Sequence, residues 1–433
     1  MAGYNIGIVG LGTIGRGVVK ILARQQSFFT DTLGLPVTLK RVADIDESRF
    51  ESVPVGDAAR STTADPILKD PDIHIVVELI GGTTAAREIV LGALRVGKHV
   101  VTANKALIAE HGPEIFAAAE QNGVSVYFEA AVGGGMPAIK TIREAMIGND
   151  ITSVKTIING TCNYVLTHME TRGLPFDAAL RQAQEAGFAE ADPALDIGGG
   201  DTGHKVAIMA SLLSGGYVPY GDIPIEGITA VSAEDIAFAR DLGYRVKLLG
   251  IIKATDSAHT LDVRVHPAML HLDHILASVS HEYNAVLLEG DAVGQILLYG
   301  KGAGELPTAS AIISDVIDVA RNIAGSTPVR IPMGFYSAGG IMKTRPVAEV
   351  VSRYYLRFTV VDRPKVLAPI AATLGDHGIS IASVLQKEGS LKDRVPVIIL
   401  THAAREAGLR AAITAIENTD FVRDKTQVIR IEE

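Results

Sequence analysis

The sequence predicts an α/β protein in three parts, and three observations carry that reading. Residues 1–135 alternate short apolar runs with helix-period segments, the habit of βα units on a parallel sheet. From Met136 the pattern changes to strands mixed with longer helices, an α+β arrangement. Residues 351–433 run strand, helix, strand, strand, helix, strand, the ferredoxin-like βαββαβ order. At 433 residues the chain exceeds what one core ordinarily serves.

In the first part NIGIVG, VTLKRVAD, IHIVVELIGG, KHVVTANK and VSVYFEAAV read as strands. RGVVKILARQ, AAREIVLGALRVG and EIFAAAEQNG read as helices. In the second part TSVKTIING, LDVRVHPAML and NAVLLEG are strand-like, while PFDAALRQAQEAG and GHKVAIMASLL have helical spacing. A long helix from about Thr308 is assigned, with residues 305–330, back to the first domain. The expected domains are therefore 1–135 with 305–330, then 136–304, a Gly/Pro-containing linker at 331–350, and 351–433. In the last, YYLRFTVVD, ISIASVLQK, RVPVIILT and KTQVIRIEE are strands; KVLAPIAATLGDHG, closed by Gly378, and AREAGLRAAITAIEN are helices.

Composition excludes several classes. Hydrophobic residues at 47% and charged residues at 21% are ordinary for a soluble globular protein. The net charge of −9 argues against a nucleic-acid binder. The lone Cys162 precludes internal disulfides and fits a reducing compartment. MAGYNIGIVG lacks the features of a signal peptide, and no run of about 18 apolar residues provides a membrane span. The expected location is the cytoplasm.

GLGTIG places Gly10, Gly12 and Gly15 in G-x-G-x-x-G spacing, after a strand and at the opening of a helix. In that context the loop, with Thr13 and Ile14 inside it, reads as the phosphate cradle of a Rossmann-type dinucleotide-binding domain. The acid expected at the ribose is Asp44, further past Gly15 than the usual roughly 20 residues. It leans toward NAD over NADP, although Arg41 or Arg49 lies near enough to reach a phosphate.

AEADPALDIGGGDTGHKVAI, residues 189–208, sets Glu190, Asp192, Asp196 and Asp201 ahead of Lys205. Asp201 and Lys205 are four apart, so on a helix they share a face. A cation in the first turn is disfavoured by the helix dipole and favoured by a carboxylate beside it, opposed effects that can poise a lysine for proton transfer. The residues alone leave three readings open: an i,i+4 salt bridge on a surface helix, a carboxylate cage for Mg²⁺ or Ca²⁺, and a substrate pocket with a proton donor. His204 reads as a packing residue, and Cys162 as a small buried one.

Ala183, Gly187 and Phe188, then Asp192-Pro193, then Asp196 to Lys205 as D-I-x-G-x-D-x-x-x-K, resemble the signature of homoserine dehydrogenase. VTANK (101–105), EAAVGGGMP (129–137), NGTCNY (159–164) and GKGAGELPTASA (300–311) resemble stretches of that family in the same order. The resemblance implies NAD- or NADP-dependent interconversion of L-homoserine and L-aspartate 4-semialdehyde, on the route to threonine and methionine. It makes Lys205 the proton donor and Asp201 its holder. It also places Glu190, Asp196 and Lys105 at the substrate, and Lys105, Gly187 and Gly302 at the cofactor. It implies a Na⁺ or similar ion held through Glu129, Val132, Gly134 and Met136, and a homodimer or homotetramer.

DRPKVLAPIAATLGDHGISIASVLQ resembles an ACT domain, which implies L-threonine as a possible effector. Lys365 stands where that pattern has glycine, so a side chain occupies the loop that approaches the ligand. The alternative to an enzyme is a regulatory sensor that binds NAD and an amino acid without turnover; a third reading changes only the substrate, to another amino-acid semialdehyde or a 2-amino acid. A sensor has no use for Lys205 at the nicotinamide.

Overall fold

The structure, a computed structural model, describes residues 3–255, 260–327, 329–330, 340–386 and 394–433. Its N-terminal sheet holds six strands among the described residues: β1 (Tyr4–Val9), β2 (Val37–Ala43), β3 (Ala59–Ser61), β4 (Ile73–Glu78), β5 (His99–Thr102) and β6 (Val126–Tyr127). They pair in the order β3-β2-β1-β4-β5-β6, every neighbour parallel. The order reverses between β1 and β4, which opens a crevice at the carboxyl ends of those strands. Helices α1 (Thr13–Ser27), α2 (Thr84–Arg95) and α3 (Lys105–Gln121) make the crossovers. Helix α1 turns Val18, Val19, Ile21 and Leu22 inward against Ile6 and Ile8.

The middle region carries α4 (Gly160–Arg172), α5 (Phe176–Glu185), α6 (Gly200–Ser214) and α7 (Ala233–Asp241). Its strands are β7 (Ile151–Ile157), β8 (Tyr244–Ala254), β9 (Thr260–His271), β10 (Tyr283–Gly290) and β11 (Gly294–Lys301). Helix α8 (Glu305–Ala324) then returns to the first sheet and buries Ile312, Val316 and Val319 in its core. Gly17 makes room for it, since a β-carbon there would stand 2.7 Å from the Glu305 carbonyl oxygen.

The described end of the segment expected as a linker is pinned rather than loose. Tyr217 N donates to Gly340 O at 2.8 Å, and β12 (Lys343–Thr344) pairs with β9. Residues 331–339 lie outside the described residues. The C-terminal unit runs β13 (Val351–Val360), α9 (Leu367–Asp376), β14 (Ile381–Gln386), β15 (Val395–Thr401), β16 (Ala404–Arg405), α10 (Glu406–Glu417) and β17 (Gln427–Glu432). Apart from the two-residue β16 this is the expected βαββαβ order. Its sheet is not separate. β17 pairs in parallel with β9, so the strands run β11-β10-β7-β8-β9-β17-β13-β15-β14 across both units. Tyr355, Ile398, Leu400, Ile429 and Ile431 accordingly share a core with Val263 and Met269 of the middle region.

Candidate active site

The glycine loop takes the form its spacing implies. Gly10 has φ +101°, and a β-carbon there would fall 2.6 Å from Leu79 O, so this turn admits only glycine. Gly12 caps α1 without a side-chain bond, and no acid stands in the first turn of that helix. Bare N–H groups and the positive dipole end therefore meet whatever lies over the loop, which suits a pyrophosphate.

Asp44, at the end of β2, is buried. Its carboxylate accepts from Leu11 N at 2.6 Å and Asp46 N at 2.9 Å, and pairs with Arg49 Nη1 at 3.2 Å. It thus fixes the glycine loop and draws a half-exposed arginine to within 4 Å of a β-carbon built on Gly12. Arg41 is turned away, ion-paired with Asp70 at 2.8 Å.

From Ile14 a cleft of about 690 Å³ runs to Lys205, lined by Lys105, Gly187, Glu190, Asp196, Asp201 and Gly302 among others. Residues far apart in sequence converge there because each sits at the end of an element. Thr102 Oγ1, at the end of β5, donates to Glu78 and accepts from Asn104 N; Asn104 then caps α3 by accepting from Leu107 N. Lys105 is the first residue of that helix, and its ammonium reaches Asp201 Oδ1 at 3.0 Å. Helix α6 starts at Gly200, so Asp201 and Lys205 lie one turn apart, with Lys205 Nζ 2.7 Å from Asp201 Oδ2. The same ammonium donates to Ile158 O at 2.8 Å. Both lysines therefore lean on one carboxylate.

Asp201 is buried, and burial alone would raise its carboxyl. Lys205 and Lys105 outweigh that and hold it well below the usual carboxylate range. For Lys105 burial works to lower the ammonium and Asp201 to raise it, and Asp201 prevails.

Asn159 is the site residue that sequence reading assigned no role. Its Nδ2 donates to Asp196 at 2.7 Å and Asp201 at 2.8 Å, while its Oδ1 caps α4 by accepting from Cys162 N. An asparagine just before Gly-Thr at a helix start was the available clue. Thr161 Oγ1 lies 3.2 Å from Asp196 Oδ2 and 2.6 Å from Phe188 O, joining the two walls. Glu190 is exposed and lines the cleft; among the described residues its carboxylate makes no hydrogen bond or ion pair, and its charge helps to raise the Lys105 ammonium.

Asp192 instead serves its own turn, accepting from Ala194 N. His204 stacks on Tyr220 at 4.1 Å and approaches Glu110 at 3.3 Å, outside the cleft. Cys162 is fully buried, its thiol pushed up by desolvation. Among the described residues no group of three or more His, Cys, Asp or Glu is placed to hold a metal ion, which removes the carboxylate cage. In the other loop Glu129 is buried, accepting from Ile139 N and Lys140 N at 2.8 Å each, and burial pushes its carboxyl up to about 7. Val132 lines the cleft beside it, and Gly134 adopts φ +57°.

No helix among the described residues is long and apolar enough to cross a membrane. Family models for the homoserine dehydrogenase catalytic region, its NAD-binding domain and the ACT domain match residues 137–317, 10–129 and 354–421. Homoserine dehydrogenase of Synechocystis is 43% identical, covering 99% of each chain. The crystal structure of a homoserine dehydrogenase from Thiobacillus denitrificans superposes with a TM-score of 0.93 at 41% identity, covering 100% of both chains. A hyperthermophilic archaeal homoserine dehydrogenase in complex with NADPH gives 0.60 at 26% identity, over 74% of this chain and 98% of its own. None of these supports a sensor without turnover. The chain belongs to the homoserine dehydrogenase family, NAD(P)-dependent oxidoreductases, and carries an ACT domain at its C-terminus.

Proposed function

We propose that L-homoserine or L-aspartate 4-semialdehyde is held between the glycine-loop side of the cleft and the Asp201–Lys205 pair, with Lys205 moving the proton. The observation that carries this reading is Asp201, a single buried carboxylate that both lysines touch. A bound dinucleotide supplies the hydride donor or acceptor.

The chain's own residues do the rest. Two of the three donors on the Lys205 ammonium are engaged by Asp201 and Ile158, which leaves one for the substrate oxygen. That group protonates the carbonyl oxygen as charge develops during reduction, and in the neutral form takes the hydroxyl proton during oxidation. Asp201 keeps the ammonium in place in both directions. Glu190, whose carboxylate makes no hydrogen bond, receives the substrate ammonium, with Asp196 fixed in the same cleft by Asn159 and Thr161. Lys105 stands where cofactor and substrate meet, and Gly187 and Gly302 offer backbone to them.

For the cofactor, Asp44 is already engaged and Arg49 lies next to Gly12. This weakens the lean toward NAD and leaves room for the 2′-phosphate of NADP, the form carried by the archaeal relative. A Na⁺ or similar ion would be held by Glu129, Val132, Gly134 and Met136, bracing the loop that forms one cleft wall. L-threonine is the effector to test at the ACT domain. Exposed Val293 and Tyr299 near the edge strand β11, with Leu272 and Ile275, offer apolar surface for a homodimer or homotetramer. The cytoplasm suits a chain whose one thiol is buried and free.

The test is oxidation of L-homoserine with NAD⁺ and with NADP⁺ by the wild type and Lys205→Ala. The expected result is a kcat lower by about 10²–10⁴ in the variant, the range for a lost acid–base group, with dinucleotide binding retained. An unchanged kcat would remove Lys205 from the proton path.

A further inference from the structure

We propose that Asn284 is a positioning residue for the dinucleotide, acting through the Gly302–Gly304 turn; the inference rests on the reading of the cleft given above. Asn284 is the second residue of β10, lines the cleft and is 1% exposed. Among the described residues neither its Oδ1 nor its Nδ2 has a hydrogen-bond partner. A buried amide left so costs stability that leucine, of similar size, would not cost.

Its neighbours show where the amide acts. A β-carbon on Gly302 would fall 1.7 Å from Asn284 Nδ2, so the carboxamide lies directly under that backbone. On its other side a β-carbon on Gly160 would lie 3.6 Å from Oδ1. Gly160 follows Asn159, the residue that fixes Asp196 and Asp201. Gly302 begins the turn that leads through Gly304, at φ +116°, into α8. One carboxamide therefore stands between the substrate wall and the turn that meets the dinucleotide.

An amide carries a donor and an acceptor, and so does each peptide group of the turn above it. A dinucleotide that shifts the turn brings those peptide groups onto the amide, and the bound state gains hydrogen bonds that the free state lacks. The gain belongs to binding and not to the chemical step, so it appears in KM and Kd while kcat is spared.

The experiment uses the full-length enzyme with Asn284→Leu, Asn284→Ala and Asn284→Ser. Binding of NADPH is followed by its fluorescence, and L-homoserine oxidation is followed with both dinucleotides. For Leu the expected result is a Kd and KM for the dinucleotide raised about tenfold. Its kcat stays within about threefold, its pH profile is unchanged, and its unfolding midpoint equals or exceeds the wild type's. Ala is expected to show the same rise in Kd and Ser, which keeps a donor and an acceptor, part of the lost affinity regained. A Kd unmoved in Leu or Ala would overturn the proposal, as would a loss of kcat and stability together with no separate effect on Kd. The fluorescence arm needs no turnover, so failure of the L-homoserine assay in the wild type would count against the substrate reading alone.

Discussion

Asp201 shows what one residue does when its neighbours are chosen for it. Its i,i+4 relation to Lys205 was legible in the sequence, because one helix carries both. Its bonds to Lys105 and Asn159 were not, since those residues come from other elements and only the fold brings them to its two oxygens. Lys365 gives a second case at this scale. It holds φ +72°, in the left-handed region that favours glycine. That conformation costs an ordinary residue roughly 1–2 kcal/mol, while glycine loses about 0.5–1 kcal/mol in chain entropy. Lys365→Gly is accordingly expected to raise stability by no more than about 1.5 kcal/mol, whereas the β-branched Lys365→Val lowers it. Denaturant unfolding of the two variants checks the sign. Calorimetry with L-threonine then reads whether removing the side chain opens the ACT loop; tighter binding in Lys365→Gly is the expected outcome.

At the scale of elements, most strands and helices announced themselves by period, and the glycine loop by its place between β1 and α1. The pairing of β17 with β9 did not. KTQVIRIEE reads as an edge or a central strand equally well, and nothing local states which neighbour it takes. The reason for its charged end lies across the seam. Glu432, on β17, is 4% exposed and accepts from Arg264 of β9 at 2.7 Å and from Lys253 of β8 at 3.0 Å. Burial would raise the Glu432 carboxyl, but Arg264 and Lys253 hold it down to about 2. A depressed carboxyl contributes stability above its ordinary value, 4.5, and loses it as pH falls toward 2. The shift corresponds to something on the order of 3 kcal/mol. Glu432→Gln is therefore expected to lower unfolding stability by about that amount at pH 7, with the gap to the wild type closing between pH 4.5 and 2. A gap that stays constant with pH would show that the seam is held by packing and not by this charge.

For the molecule as a whole, the seam decides whether the ACT unit is an appendage. Sequence reading separates it by a linker, as local patterns must, because parallel pairing between distant segments leaves no local trace. In the fold it is bound to the catalytic region at several points besides the Glu432 pairs, three of them as follows. β17 continues the sheet from β9. Arg357 and Tyr355 of β13 both bond to Asp235, a fully buried carboxylate at the start of α7. Arg430 of β17 pairs with Glu226 at 2.8 Å, and two residues on Ile228 N donates to Ile197 O in the turn that carries Asp196. Truncation after Glu349 removes all three. It uncovers β9 at Ala268–Leu270, takes Tyr355 and Arg357 from Asp235 and Glu432 from Arg264, and frees the segment that braces the Asp196 turn. A newly uncovered stretch of edge beside a buried carboxylate that has lost its arginine favours aggregation. The truncated protein is thus expected to associate in size-exclusion chromatography and to lose kcat/KM for L-homoserine by at least about tenfold, even though every residue of the cleft is retained. A monodisperse truncation with wild-type turnover would mean that the continuous sheet carries no load for the active site, and that the ACT unit is attached only in sequence.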